Sequence, residues 1–199
     1  MKIGIDFDNT LISYDSIFFK TALKKGLIKE NLPQTKVAVR DYLRNLDKDH
    51  LFTQLQAEIY GPLIKKAEIF EGVSKTLNTL CKKNILYIIS HKTKYPYSGP
   101  KYDLRFYADT WLKKHNLHPN CEGSPISGIF YEEDINNKIN RITNLNCDLF
   151  IDDLPSILNL LPNSMHRILF NPNKCELKND KFLDLNNWFQ AEELISSLY

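Results

Sequence analysis

The chain has 199 residues, 43% of them apolar and 25% charged, the composition of an ordinary globular protein with room for one large domain or a core plus a modest insertion. A formal net charge of +2 gives no broad field for nucleic acid or an anionic membrane surface. Apolar runs such as "ILYII" at 85–89 are far too short to cross a bilayer.

In chain order, "KIGIDF" at 2–7 reads as a buried strand. Residues 13–67 then read as three helices, "SIFFKTALKKG", "PQTKVAVRDYLRNL" and "DHLFTQLQAEIYGPLIKK", punctuated by Gly26, Pro33 and the stretch Asp47–Asp49. Strand–helix alternation resumes at "EIFEGVSKTL". Val73, Thr76, Leu77, Leu80 and Cys81 have the spacing of an amphipathic helix, as do Leu104, Tyr107, Ala108, Trp111 and Leu112. "ILYIIS" at 85–90, "DLFID" at 148–152 and "HRILF" at 166–170 are further strands, and a last helix is expected from about Trp188 to Leu198. The strands are uniformly apolar rather than alternating, as parallel strands covered on both faces should be. The expected fold is α/β: a Rossmann-like parallel sheet flanked by helices, formed by 1–12 and 68–199, with a small all-α insertion at 13–67 lying over the strand ends like a lid.

In such sheets ligands sit beyond the carboxyl ends of the strands. Asp6, Ser90 and Asp152 each fall at the end of a different expected strand, so three polar side chains converge on one edge. An Asp followed by Asp8-Asn9-Thr10 could simply form a turn. A calcium loop does not fit, because Leu11 stands where glycine is required and Ile17 where the bidentate Glu is required. A phosphate-binding P-loop does not fit either: Gly123 and Gly128 have the spacing, but Ile129 follows where lysine is needed. Asp152 and Asp153 add a second acidic pair. Four carboxylates at one edge repel one another unless a cation lies among them, and hard oxygen donors in an incomplete set suit Mg²⁺ shared with a phosphate.

With these motifs in order, the chain resembles the haloacid dehalogenase-like (HAD) hydrolase superfamily, in its phosphatase-type form with a helical cap after the first strand. Asp6-Phe7-Asp8-Asn9-Thr10 matches the first motif, Ser90 the second, Lys138 in "NNKINRI" the third and Asp152-Asp153 in "FIDDLP" the fourth. The resemblance implies that Asp6 is the nucleophile and forms an aspartyl-phosphate, and that Asp8 is the general acid and base. It implies that Asp6, the Asp8 backbone carbonyl and Asp152 or Asp153 hold Mg²⁺. Ser90 and Lys138 would bind the phosphoryl oxygens, with Asn9 and Thr10 beside them. Lys92 or Lys94 could reach the same phosphate; Lys138 is preferred because it precedes the strand bearing Asp152, with Asn136 or Asn137 available to cap its helix. Members that cleave carbon–halogen bonds lack the second Asp of the first motif, so Asp8 favours phosphate-ester chemistry.

The stretch "SHKTKYPYSGPKYDLR" after Ser90 is basic and aromatic, and His91, Lys92, Lys94, Tyr97 and Lys101 are candidates for substrate contact or for an ordinary solvated loop. Phe18, Phe19, Phe52 and Tyr60 read as the small core of the insertion, and Arg40 and Arg44 share a helix face. Cys81, Cys121, Cys147 and Cys175 form no zinc pattern. Lys2 is followed by only three apolar residues before Asp6, so no export signal is visible and a cytoplasmic protein with reduced thiols is expected. The expected activity is Mg²⁺-dependent hydrolysis of a small phosphorylated metabolite, a sugar phosphate or nucleotide, without membrane or nucleic-acid partners. A phosphotransferase of the same superfamily and a non-catalytic binding or regulatory module are the alternatives.

Overall fold

The computed structural model describes residues 1–173 and 181–198, so Cys175 lies outside the described residues. In chain order the elements are β1 (Lys2–Ile5), β2 (Ile12–Ser13), α1 (Asp15–Lys24), α2 (Lys36–Asn45), α3 (Asp49–Tyr60), β3 (Glu68–Ile69), α4 (Val73–Leu80), β4 (Ile85–His91), α5 (Leu104–Lys114), β5 (Gly128–Glu132), α6 (Ile135–Asn144), β6 (Leu149–Asp152), α7 (Pro155–Leu158), β7 (His166–Phe170), β8 (Leu183–Leu185) and α8 (Ala191–Ser196). The last helix is shorter than the sequence suggests, because Trp188–Gln190 form a 3-10 turn ahead of it.

The four apolar runs seen in the sequence lie side by side as β4, β1, β6 and β7, the centre of a six-stranded sheet of order β5-β4-β1-β6-β7-β8. Every pairing is parallel. Ile3, Ile5, Leu86, Ile88, Leu149 and Ile151 are fully buried, which explains why these strands carry no polar alternation. The two outer strands, β5 and β8, are absent from the sequence reading. All five residues of β5 are only half-buried, and only Leu185 of β8 is buried. A further two-stranded sheet pairs β2 with β3.

The chain divides into two compact units. The first comprises Met1–Leu11, Ile69–Lys92 and Leu112–Tyr199 and carries the six-stranded sheet. β1 lies centrally in it: the chain builds outward through β4 and β5, then crosses to the other side for β6 to β8. Such a reversal opens a crevice at the strand ends. One face of the sheet packs Phe150 and Ile89 against Ile142 of α6, Ile157 and Leu158 of α7, and Leu161. Trp188 is fully buried; its indole donates to the Thr10 carbonyl at 2.9 Å, and its own carbonyl accepts from Thr76 Oγ1 at 2.8 Å.

The second unit comprises Ile12–Glu68 and Thr93–Trp111, so the segment 93–111, assigned in the sequence to the sheet-bearing part, groups instead with the helices. The cause is local packing. Leu104 N–H donates to the Lys94 carbonyl at 2.8 Å, and the Trp111 indole donates to the Ala67 carbonyl at 3.0 Å. The apolar faces of α1 and α3 meet through Phe18, whose ring centroid lies 5.3 Å from Phe52 and 5.9 Å from Tyr60. Arg40 and Arg44 form exposed ion pairs with Asp41 and Asp49. Among the described residues no helix is long and apolar enough to cross a membrane.

Gly4 is required by close approach rather than by its backbone angle. A Cβ there would stand 2.5 Å from Cδ2 of Phe150, a fully buried ring with nowhere to retreat. Gly4→Ala is expected to destabilise the protein by about 1–3 kcal/mol through overpacking, measured as a lowered urea midpoint with unchanged m-value.

Candidate active site

Every residue of the site described here belongs to the first unit. Asp6 continues β1 by one step: its N–H donates to the Ile151 carbonyl at 2.9 Å, which extends the β1–β6 ladder and sets Asp6 beside Asp152. The chain then turns sharply. Leu11 N–H returns to the Phe7 carbonyl at 3.1 Å, and Asn9 takes φ +59°, a left-handed conformation that Asn tolerates better than most residues. Asn9 thus shapes the turn. Thr10, fully buried, points its hydroxyl at Asp6 Oδ2 across a long 3.5 Å.

Lys138 enters from α6. Its helix is capped by Asp134, whose side chain accepts from Asn137 N–H at 2.8 Å; the cap is therefore neither Asn136 nor Asn137. Lys138 and Ile142 are the buried residues of α6, one turn apart, so a lysine occupies a place on the inward face that would ordinarily be apolar. Its ammonium donates to Asp6 Oδ1 at 2.6 Å and to Asp152 Oδ2 at 2.7 Å. The other oxygen of Asp152 accepts from Leu154 N–H at 2.8 Å.

The electrostatics follow from dryness and crowding. Burial, the largest influence, pushes the Asp6 carboxyl up to about 7; Lys138 opposes this, while Asp152 and Asp8 add to it. Burial also works against the Lys138 charge, but the Asp6 and Asp152 carboxylates outweigh it and hold the ammonium above its ordinary range. The site therefore carries an excess of carboxylate over cation. Asp6, Asp152 and Asp153 each offer an oxygen, all within 4.8 Å of one another. That donor set is hard and anionic, and it fits a divalent cation such as Mg²⁺. The side chain of Asp8 is not part of this cluster.

Asp8 is held instead by Lys92, whose ammonium lies 3.0 Å from Oδ1 and 2.8 Å from Oδ2. Lys92 is thus a partner of the acidic turn, a placement that its position in a basic loop does not signal. Ser90, on β4, is 1% exposed, and its hydroxyl makes no hydrogen bond among the described residues. A buried hydroxyl without a partner is costly, and a bound ligand would satisfy it. His91 is exposed, with Nε2 3.1 Å from the Glu133 carbonyl. Lys94, Tyr97 and Lys101 fall in the second unit. Lys94 lies 4.0 Å from Asp103 and Tyr97 is almost wholly exposed.

No family model and no curated protein matches the chain, whereas solved structures do. A haloacid dehalogenase-like family hydrolase from Streptococcus pneumoniae aligns over 100% of this chain and 98% of its own, with a TM-score of 0.65 and 15% identity. The HAD-hydrolase YfnB from Bacillus subtilis, bound to magnesium, covers 98% and 97% at a TM-score of 0.56 and 12% identity. A HAD phosphatase from Thermococcus onnurineus covers 98% of both chains at a TM-score of 0.54 and 15% identity. Dehalogenases occur among the neighbours too. At these identities the likeness establishes the fold, which is that of the HAD hydrolases.

Two of the buried hydroxyls of this unit, those of Ser90 and Thr76, should respond differently to removal. Ser90→Ala is expected to change stability by less than about 1 kcal/mol, since no hydrogen bond is lost. Thr76→Val, which removes one of the two donors to the Trp188 carbonyl (the other is the Ala191 N–H), is expected to cost about 1–1.5 kcal/mol in the same denaturation assay.

Proposed function

We propose that this protein, whose fold is that of the HAD hydrolases, is a Mg²⁺-dependent phosphomonoester hydrolase that works in the cytosol on a small metabolite, a sugar phosphate or a nucleotide. One observation carries the reading: two acids on a single turn sit in different settings, each clasped by its own buried lysine. The Asp6 side chain is 7% exposed against Lys138, and that of Asp8 is 21% exposed against Lys92. A nucleophile and a proton carrier need such a division of labour.

Lys138 holds Oδ1 of Asp6 at 2.6 Å, and Oδ2, approached only by the Thr10 hydroxyl at 3.5 Å, is taken as the attacking atom. As Oδ2 bonds to phosphorus, the ester P–O bond breaks and Asp8 gives a proton to the departing oxygen. Asp8 then takes a proton from water as that water attacks the aspartyl-phosphate, releasing inorganic phosphate and restoring the Asp6 carboxylate. The Ser90 hydroxyl and the Lys138 ammonium hold the phosphoryl oxygens. Mg²⁺, held by Asp6, the Asp8 carbonyl and Asp152 or Asp153, would neutralise charge on the phosphoryl group. Halide displacement needs no acid, so Asp8 in this setting supports phosphate-ester chemistry over dehalogenation.

The reading is tested by phosphate release from a panel of sugar phosphates, nucleotides and phospho-acids. Turnover of at least one compound is expected with Mg²⁺ and not with EDTA; Asp6→Asn should abolish it and Asp8→Asn should reduce it by about 10²–10⁴-fold. Full turnover by Asp6→Asn would refute the assignment, and products that shift when acceptor alcohols are added would identify a phosphotransferase.

A second expectation follows from the Asp6 carboxyl lying near 7. The ion needs the ionised carboxylate, so below that pH it must displace a proton and above it need not. The rise in Tm produced by Mg²⁺ should be larger at pH 8 than at pH 6.

A further inference from the structure

We propose that Lys92 is a positioning residue for the proton-transfer steps, fixing the Asp8 carboxyl group so that in its protonated form it delivers the proton to the departing oxygen and, as the resulting carboxylate, takes one back from the attacking water. The inference rests on the phosphatase reading above and adds a residue to it.

Lys92 stands immediately after β4, but its backbone is not loose. Its N–H donates to the Glu132 carbonyl at 2.9 Å and carries the β4–β5 ladder one residue further. The side chain leaves that fixed point and is 3% exposed. Its ammonium lies over the Phe7 ring, 5.3 Å from the centroid, and Phe7 is itself fully buried. Lysine is rarely so enclosed unless its charge is matched. Here the match is bidentate, with contacts to both oxygens of Asp8 at 3.0 and 2.8 Å.

The asymmetry of the pair shows its direction of action. The Asp8 side chain is 21% exposed and its partner 3%, so the carboxylate is the accessible member and the ammonium stands behind it. Contacts to both oxygens remove the carboxylate's freedom to rotate about χ2, which a single hydrogen bond would leave. A proton donor must lie within hydrogen-bond reach of the atom it serves, and small displacements of such a group cost rate steeply. Lys138 acts on the nucleophile, and Lys92 fills the equivalent place for the acid. An ammonium has three donors and two of them are directed at Asp8, so the role proposed for Lys92 runs through Asp8.

The chemistry fixes the test. In the first step the P–O bond breaks, its electron pair goes to the leaving oxygen, and the Asp8 proton follows. An alkoxide leaving group needs that proton; p-nitrophenolate does not. The wild-type protein, Lys92→Met and Lys92→Arg are compared with Mg²⁺ on p-nitrophenyl phosphate and on the best alkyl phosphate of the panel. With Lys92→Met, kcat on the alkyl ester should fall by about 30-fold or more, and the fall on the aryl ester should be at least tenfold smaller. KM should move little, and Lys92→Arg should recover part of the loss. In an Asp8→Asn background, Lys92→Met should add almost nothing.

Equal losses on both esters, or no loss on either, would overturn the proposal and leave Lys92 a purely structural partner. Should Lys92→Met fail to fold, Lys92→Gln and Lys92→Arg are read by the same alkyl-to-aryl ratio, and an unchanged ratio in both overturns it. A wild type inactive on both esters, or unaffected by Asp6→Asn, would refute the phosphatase reading itself and the Lys92 inference with it.

Discussion

The site depends on one ammonium group in a dry place. Lys138 separates Asp6 from Asp152, two carboxylates that adjacent parallel strands deliver to the same spot. Without a cation between them, the end of the sheet would be electrostatically unfavourable, because neither carboxylate has access to bulk water. Ion pairs of this kind contribute little net stability, and a hydrophobic substitute could pack as well. On the function proposed above, the lysine would supply a charge that a phosphoryl group can share.

The geometry of the sheet makes this arrangement possible. β1 has neighbours on both sides that were added in opposite directions of chain growth, so the loops after β1, β4 and β6 diverge and leave their terminal side chains facing a common space. α6 then crosses from β5 back to β6 and presents Lys138 from its first turns, braced by Ile142 below. A side chain with four rotatable bonds is thereby held by packing along its stem and by two acceptors at its tip.

Legibility in the sequence followed burial. β1, β4, β6 and β7 are sealed on both faces and could be read from apolar density alone, and Asp6, Ser90 and Asp152 could be placed because each ends such a run. The edge strands escaped because half-exposed residues such as those of β5 carry no contrast between faces. The Asp134 cap was hidden behind two asparagines of similar propensity. The pairing of Lys92 with Asp8 was not legible for a different reason: in sequence Lys92 is one of several lysines in a polar stretch, and only the structure shows its side chain buried against Asp8. The grouping of 93–111 with the helices was likewise invisible, since it depends on contacts such as Trp111 with Ala67 that span forty-four positions.

Trp188 ties the far end of the chain to the acidic turn, because its indole proton is given to the carbonyl of Thr10. The turn is made first during synthesis, yet one of its carbonyls receives its partner only after 178 further residues have been added. A ribosome-bound chain can therefore pair β1 with β4 well before the acidic turn is completed. The acidic turn would therefore gain its last hydrogen bond only once the segment carrying Trp188 has been made and has packed against it.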